Sequence, residues 1–423
     1  MERFLQIFKV PDLRKKIFMV LFWLIVFRLL SAIPVPGVDP SRLEQFFSSN
    51  QLFGLLNIFS GGGLSQLSVV MLGVGPYITA TIIMQLLTII FPKLKKAYYE
   101  EGAEGRAKFN RISRYLTVPL GALQGYAFLN LLVSQKVIDP LSFVGMMGNV
   151  AVITAGSMFL MWIGELISEY KIGNGVSLII FAGIVSSLPG QIIYSIQNYT
   201  PSVLPTYIAF IVLSVLVISG VVFVSEGERK IPVSYAKQVR GNKVYGGASS
   251  YLPLRVNQAG VIPIIFAISL LLLPQFFAQI ASLISPEVAV WVNDKVNVFF
   301  NNQVLYSLAY FVLVVVFTYF YTAITFDPQE ISKNLQRSGG FVPGIRPGQS
   351  TAEMISRVVH RTTLFGALFL GIIAVLPNIT QMVTGIQALT IGGTALLIVV
   401  SVALETMKQI ESQLTMREYD GIF

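Results

Sequence analysis

The sequence predicts an all-α integral membrane protein with ten transmembrane helices. Apolar residues make up 54% of the 423 residues and charged residues only 12%, far from the composition of an ordinary soluble domain. A helical crossing of the bilayer takes about 20 apolar residues. Ten apolar runs of about this length follow one another, at 17–33, 74–91, 112–133, 150–167, 176–196, 205–224, 261–284, 304–326, 362–379 and 386–404.

The basic residues predict the orientation of these spans. With the amino terminus in the cytoplasm, 26 of the 30 lysines and arginines fall on the cytoplasmic side. Three fall outside (Arg42, Lys136 and Lys295), and Arg28 lies within the first run. The positive-inside rule therefore places both termini in the cytoplasm. The net charge of +9 thus describes one face of the protein and does not indicate a general affinity for nucleic acid.

Several kinds of chemistry are excluded by composition. The chain has no cysteine, so it has no disulfides, thiolate chemistry or cysteine-bound metal. Its one histidine, His360, stands between Arg357 and Arg361 and is expected to be a solvated surface residue. No phosphate-binding loop, catalytic triad or metal-ligand cluster is present. We therefore expect no enzymatic activity and no cofactor.

The chain divides into two halves of five spans. Residues 1–196 and 205–404 flank an external hinge linker at 197–204, and a cytoplasmic tail follows at 405–423. Because five is odd, the second half enters the membrane inverted, as in proteins that open between two repeats. The second span of each half begins with the pattern G-V-x-P-x-I-x-A, at 73–80 and at 260–267. This comparison places Ile78 opposite Ile265.

A short apolar segment at 64–72 follows three glycines and is too short to cross the bilayer. Nine helical residues extend about 14 Å, roughly half of the hydrocarbon core. One interpretation is a re-entrant helix inside a cavity, since irregular backbone survives at that depth only there. The other is an interfacial helix on the outer surface. The residues by themselves leave both open.

Two cytoplasmic loops, at 225–257 and 327–361, are long enough to fold outside the bilayer. In the first, a β-prone run at 230–235 and a turn signal at 240–243 predict a protruding hairpin. In the second, two Pro-Gly turns bracket Arg346 and hold it at a tip. These basic loops suit either a docking role or contact with lipid and control of topology.

A few polar side chains interrupt the second span and the start of the seventh. They are Thr81, Gln85 and Thr88, and Asn257 and Gln258. They predict a hydrogen-bonded seam between the two helices, either as a functional opening or as ordinary packing between membrane helices.

Six short strings, in this order, resemble the SecY family of bacterial protein-conducting channel subunits over nearly the whole chain. They are G-P-Y-I at 75–78, I-G-N-G-V-S at 172–177, F-A-G-I at 181–184, I-P-V-S-Y-A at 231–236, F-V-P-G-I-R-P-G at 341–348 and G-G-T at 392–394. One departure is Glu228, where the family often carries an uncharged residue.

The resemblance implies a clamshell of two five-helix halves around an hourglass pore. It opens sideways between spans two and three on one side and seven and eight on the other, so the polar seam becomes part of a lateral gate. The segment at 64–72 becomes a plug helix with Leu64, Leu67, Val69, Val70 and Leu72. A constricting ring maps to Ile78, Ile82, Ile180, Ile184, Ile265 and Ile398.

The resemblance also implies partners and a location. The SecA ATPase or a ribosome would dock on the two loops, through Arg229, Lys230, Lys237, Arg240 and Arg346. Small membrane subunits similar to SecE and SecG would join the channel, which would meet preproteins, their signal sequences and membrane lipid. The membrane would be the bacterial cytoplasmic one.

The predicted function is therefore to move unfolded secretory polypeptides across the membrane and to release hydrophobic segments sideways into the bilayer. A secondary transporter for a small solute is the alternative, and it calls for a charged site at mid-membrane. A lipid scramblase or a scaffold is a third class, and neither needs two basic loops on one face.

Overall fold

A computed structural model describes most of the chain. The described residues are 10–35, 60, 63–64, 66–99, 101–134, 137–197, 201, 204–235, 238–240, 243–245, 249–284, 286–384 and 392–420. Lys237 and five of the eight residues of the predicted hinge linker (198–200 and 202–203) lie outside these residues.

A helix overlaps each of the ten apolar runs. These helices are α1 (Pro11–Ser31), α2 (Gly75–Ile90), α4 (Gly102–Ser134), α5 (Phe143–Glu169), α6 (Gly175–Gln197), α7 (Leu204–Glu226), α8 (Ile262–Ile284), α10 (Gln303–Thr325), α12 (Gln349–Thr384) and α13 (Gly392–Asp420). Within the described residues, the apolar runs did not predict three shorter helices, α3 (Pro92–Tyr99), α9 (Pro286–Asn301) and α11 (Pro328–Arg337).

The helices form a multi-pass membrane protein. Five of those within the described residues are long and apolar enough to cross a bilayer by length and composition. Large apolar side chains face outward along several of them, such as Ile211 and Leu216 of α7, which are 62% and 64% exposed. Such surfaces need lipid or a partner to cover them. The count of ten crossings stays a prediction.

The two repeat segments adopt matching backbones. Gly73 and Gly260 both have positive φ, of 56° and 63°, a conformation that favours glycine. A buried valine follows each glycine, and α2 and α8 each begin two residues after the glycine. Ile78 and Ile265 then lie four residues beyond these valines and donate their amides to the valine carbonyls. The equivalence inferred from the pattern thus extends to the local fold.

The two halves meet at two junctions. On one side α8 packs against α2 and α4, and on the other α13 packs against α6. Within each half, α4 contacts α2 and α10 contacts α8. The apolar core that includes the meeting surfaces is therefore built from both halves of the chain.

The two long loops at 225–257 and 327–361 form one platform. Strand β1 (Glu228–Tyr235) pairs antiparallel with β4 (Ser249–Arg255) and, at its end, with β5 (Gly340–Phe341) of the second loop. Between them β2 (Gln238–Arg240) and β3 (Lys243–Tyr245) form the expected hairpin, with residue 240 opposite 243. Ile231 and Leu254 of the first loop pack with Val342, Ile355 and Val359 of the second. Nothing in the sequence indicated that these two loops contact each other, but they share a sheet and an apolar core.

The predicted helix at 64–72 is wrong in its secondary structure. The described residues from 66 to 74 form successive turns. These turns are closed by hydrogen bonds between residues three positions apart, such as Met71 N to Ser68 O at 2.9 Å. Leu67 has a φ of 40°, which interrupts a right-handed helix. Ser68 also forms an antiparallel bridge with Pro34. Tertiary contacts therefore hold this short segment in turns that nine residues would not prefer in isolation.

The junction between α5 and α6 is unusually close. Ser168 accepts a hydrogen bond from the amide of Gly175 at 2.9 Å, while the Asn174 side chain caps α6 by accepting from the amides of Val176 and Ser177. A Cβ placed on Gly175 would overlap the carbonyl oxygen of Gly164 and lie 2.7 Å from its carbonyl carbon. The string I-G-N-G-V-S is thus explained by packing and capping.

We expect Gly175→Ala to destabilise the fold by about 3 kcal/mol, because a rigid backbone atom blocks the added methyl group. Thermal unfolding in detergent measures this loss. The matched control is Gly190→Ala in the same helix, where an added Cβ has no neighbour within 4 Å. Equal melting temperatures for the two variants would contradict the close approach.

Candidate functional site

The six predicted ring residues gather in one place. Ile78, Ile82, Ile180, Ile184, Ile265 and Ile398 all belong to a single apolar cluster, and none is more than 8% exposed. They come from α2, α6, α8 and α13, so both halves contribute. The sequence alone did not relate α6 or α13 to the repeat pair, and the fold supplies that relation.

A cavity of about 530 Å³ lies beside this cluster, and its wall includes Ile78 of α2 and Ile265 of α8. The remaining lining comes from α4, the α5–α6 junction and Tyr321 of α10. The basic residues Arg106, Lys108 and Lys171 stand on the same elements.

An ion pair crosses the wall of this cavity. Arg114 Nε of α4 lies 2.6 Å from Glu165 Oε1 of α5, and both side chains are partly exposed. Asn110, Glu169 and Asn174 also line the cavity. The cavity thus combines an apolar floor of isoleucines with a polar wall. The sequence does not predict this ion pair, because it joins residues on two different helices.

The predicted polar seam is not a continuous hydrogen-bonded contact in this structure. Thr81 Oγ1 donates to Tyr77 O at 2.9 Å, and Asn257 Nδ2 donates to Gly260 O at 3.2 Å, so these bonds are local. The side-chain oxygens of Gln85, Asn257 and Gln258 are buried without a hydrogen-bond partner among the described residues. The seam residues are therefore present at the junction but available for other partners.

The segment at 64–72 is seated in the interior. Leu64, Leu67 and Val70 are at most 2% exposed, and Val69 and Leu72 are half-buried. Burial of this kind excludes an interfacial helix on the outer surface. The segment contacts both the main apolar cluster and a second cluster around α4 and α5.

A glycine on α5 makes this seating possible. A Cβ on Gly156 would overlap the carbonyl oxygen of Val69 and lie 2.8 Å from its carbonyl carbon. The Val69 amide donates to Ile33 O at 2.9 Å, so the backbone is held from both sides. The sequence did not predict the role of Gly156, because a glycine within an apolar helix does not indicate which other segment will pack against it.

Three of the predicted docking residues, Arg229, Lys230 and Arg346, are exposed on the platform. Arg229 and Lys230 are exposed on β1, and Arg346 is exposed between Gly344 and Gly348. These two glycines have positive φ of 81° and 97°, and Thr351 Oγ1 donates to Arg346 O at 2.9 Å. Arg240 lies in β2. His360, as expected, is exposed, with its ring 5.1 Å from that of Tyr319.

Taken together, two helical halves that enclose a buried apolar ring and an interior segment define the fold of a membrane channel. The family model that describes SecY matches residues 68–407. The chain therefore belongs to the SecY family.

Individual relatives agree with this assignment. The chain is 43% identical to a protein translocase subunit SecY from Streptomyces galbus, covering 99% of this chain and 98% of the relative. A solved structure described as a protein conducting channel shares its fold, with a TM-score of 0.65 and 19% identity over 93% of this chain and 91% of the other. Sec61 in a canine ribosome–channel complex has a TM-score of 0.62 and 17% identity over the same shares.

Proposed function

We propose that this chain is the channel subunit through which unfolded polypeptides cross the membrane and from which hydrophobic segments pass into lipid. The observation that carries the proposal is the set of six isoleucines from both halves in one buried cluster beside a cavity. Membership of the SecY family supports the same function.

An apolar ring suits a polypeptide substrate. Each peptide group costs several kcal/mol if it is left unpaired in lipid, so a moving chain needs an aqueous path. The same path leaks ions unless it closes around the chain or sheds water when empty. Branched apolar side chains do both, because they form a hydrophobic constriction and offer no strong binding site.

The seated segment at 64–72 acts as the plug in this proposal. Its buried leucines and valines occupy the interior when no substrate is present, and a substrate chain displaces them. The contact between Val69 and Gly156 sets how firmly the segment is held. A plug made of turns rather than a helix is released by separating a few backbone contacts.

The lateral opening lies where α8 meets α2 and α4. If these helices part, a segment of about 20 apolar residues gains free energy by moving into lipid. A charge at the centre of such a segment costs roughly 2.5–3.5 kcal/mol and keeps it in the channel. Buried polar side chains at this junction lower the cost of separation, because several of them have no described partner to lose.

The energy for transport comes from partners in this proposal, since the channel itself needs no catalytic residue. SecA or a ribosome docks on the cytoplasmic platform through Arg229, Lys230 and Arg346. The guanidinium groups of the two arginines bind carboxylates or phosphates in bidentate fashion, and the Lys230 ammonium adds a positive charge. The canine relative was solved in a ribosome complex. Small subunits similar to SecE and SecG cover part of the exposed apolar surface. Both termini lie in the cytoplasm by the charge distribution.

Photocrosslinking tests the function directly. We expect probes at Ile78 and Ile265 to form adducts with a preprotein stalled during transport, because both residues line one cavity. The matched control is a probe at Ile211, on the outward face of α7, which should give none. Absence of adducts at both positions, with the protein folded and partners present, would favour a small-solute transporter instead.

A further inference from the structure

Helix α9 connects two long helices and is not itself needed for a membrane crossing. The 23 residues of α8 and of α10 each extend about 34 Å, enough for a hydrocarbon core of about 30 Å. Between α9 and α10 stands only Asn302, whose extended backbone separates the two helices. Because the charge distribution places this connection on the outer side, α9 lies at the outer surface of the bilayer or beyond it.

The two faces of α9 have different surroundings. Phe299 and Phe300 pack against the main apolar cluster, and their ring centroids lie 6.3 Å and 5.9 Å from that of Tyr306. On the opposite face, Trp291 and Val298 are 65% and 66% exposed. Exposed apolar side chains of this size mark a surface that a membrane or a partner covers.

The exposed face of α9 has the composition of a membrane interface. Trp291, Lys295 and Val298 follow one another at intervals of four and three residues, so they lie on one side of the helix, and all three are exposed. Tryptophan concentrates at the boundary between lipid headgroups and acyl chains. A lysine at this level packs its methylene groups against apolar surface and holds its ammonium among the phosphates. This face is therefore complementary to phospholipid.

An open hollow of about 650 Å³ adjoins this face. The residues that line it come from α9, α10, α12 and the connection between α9 and α10, and they are Val298, Asn302, Gln303, Val304 and Met382. The Gln303 amide is already bonded, because its Nε2 donates to Gln381 Oε1 at 3.0 Å and to Asn378 O at 3.3 Å. The two valines and the methionine thus give the hollow an apolar wall.

Exposed apolar residues continue from the hollow along α10. Val304, Leu308 and Val312 are all exposed, and their spacing of four residues places them in one stripe on the helix surface. The stripe extends about 12 Å from the hollow toward the middle of the membrane. An acyl chain on this stripe would contact apolar atoms along its length.

We propose that α9 lies in the headgroup layer of the outer leaflet and that the hollow, with the stripe on α10, binds one phospholipid. The lipid phosphate accepts a hydrogen bond from Lys295 Nζ, the Trp291 ring lies at the headgroup level, and an acyl chain passes Val298 and follows α10 inward. The inference goes beyond the proposed function, since it uses the orientation of the chain but no step of polypeptide transport.

The absence of cysteine allows a single spin label to be placed on this surface. The complete channel complex, with cysteine-free partner subunits, is reconstituted in phospholipid vesicles with a label at Lys295→Cys, Val298→Cys or Leu308→Cys. Collisions with oxygen report contact with lipid, and collisions with a nickel chelate report contact with water. The oxygen-to-nickel ratio should rise about threefold from position 295 to position 308, because the sites pass from the headgroups into the acyl chains.

A label at Arg357→Cys, an exposed position outside the predicted spans, gives the reference value for water. A ratio at position 298 equal to that at position 357 would place this face of α9 in water. Protection of position 298 from both reagents would show that a protein subunit covers it. Either result would overturn the inference, and neither depends on whether the channel transports polypeptides.

A second measurement tests the phosphate contact. With Trp23→Phe and Trp162→Phe, Trp291 is the only tryptophan of the chain, and brominated lipid beside it quenches its fluorescence. In vesicles that mix brominated phosphatidylcholine with a galactosyl diacylglycerol, which has no phosphate, we expect about a threefold preference for the phospholipid, typical of an exposed charge contact. Lys295→Ala should abolish this preference, whereas the matched control Asp294→Asn should not lower it. An unchanged preference in Lys295→Ala would overturn the assignment of the phosphate to Lys295.

Discussion

Gly156→Ala is expected to raise the ion conductance of the resting channel at least fivefold. The added methyl group overlaps the Val69 carbonyl, and this backbone cannot retreat because its amide is bonded to Ile33. Overpacking of this kind costs about 1–3 kcal/mol. The equilibrium between the bound and the displaced segment at 64–72 shifts toward the displaced state by the corresponding factor. Single-channel recording in planar bilayers measures the result.

Two further variants serve as controls for this effect on the resting conductance. Gly148→Ala changes a glycine of the same helix, and its added Cβ has no neighbour within 4 Å, so it should leave the resting conductance unchanged. Deletion of residues 64–72 removes the segment itself and should give a leak at least as large as that of Gly156→Ala. A tight channel after the deletion would show that the segment does not seal the pore.

Arg346→Glu should reduce SecA-driven transport at least thirtyfold while the protein accumulates normally. The loop around Arg346 is held by two glycines with positive φ and by the Thr351 hydroxyl, so the charge is presented in one conformation. Reversal leaves a like charge facing the partner, and disruption of a close charge pair in an interface costs about 2–5 kcal/mol. Transport into inverted membrane vesicles and SecA binding to them measure the effect.

The control for this charge reversal is Arg357→Glu in the same loop. Arg357 is exposed on the regular helix α12 and not on a turn, so we expect a loss of transport of less than threefold, typical of a surface charge. Equal defects in the two variants would indicate a general response to negative charge on this face. Unchanged transport in Arg346→Glu would show that Arg346 does not contribute to docking.

The positions of the helices were predictable because they depend on local composition. Each apolar run predicts one helix through its length, and the structure has a helix over each of them. The repeat motif also predicted a spatial relation, since Ile78 and Ile265 line the same cavity. The hairpin at 238–245 followed from its turn signal.

Other features depended on contacts that no local pattern encodes. The segment at 64–72 forms turns because Ser68 bridges Pro34 and Val69 bonds to Ile33. The polar seam lacks continuous hydrogen bonds because Thr81 and Asn257 find backbone acceptors within their own segments. The joining of the two long loops into one sheet depends on strands about 100 residues apart.

The sequence by itself therefore determined the class of the protein, the placement of the ten helices that overlap its apolar runs and the family to which it belongs. Hydrophobic runs, charge bias and the ordered strings are properties of neighbouring residues, and the bilayer allows few folds for them. Only the tertiary structure decided that Gly156 receives the backbone of Val69, that Arg114 pairs with Glu165, and that the Gln85 Oε1 atom is buried with no hydrogen-bond partner among the described residues. These facts arise from close packing between distant helices, where a difference of one ångström decides which atoms meet.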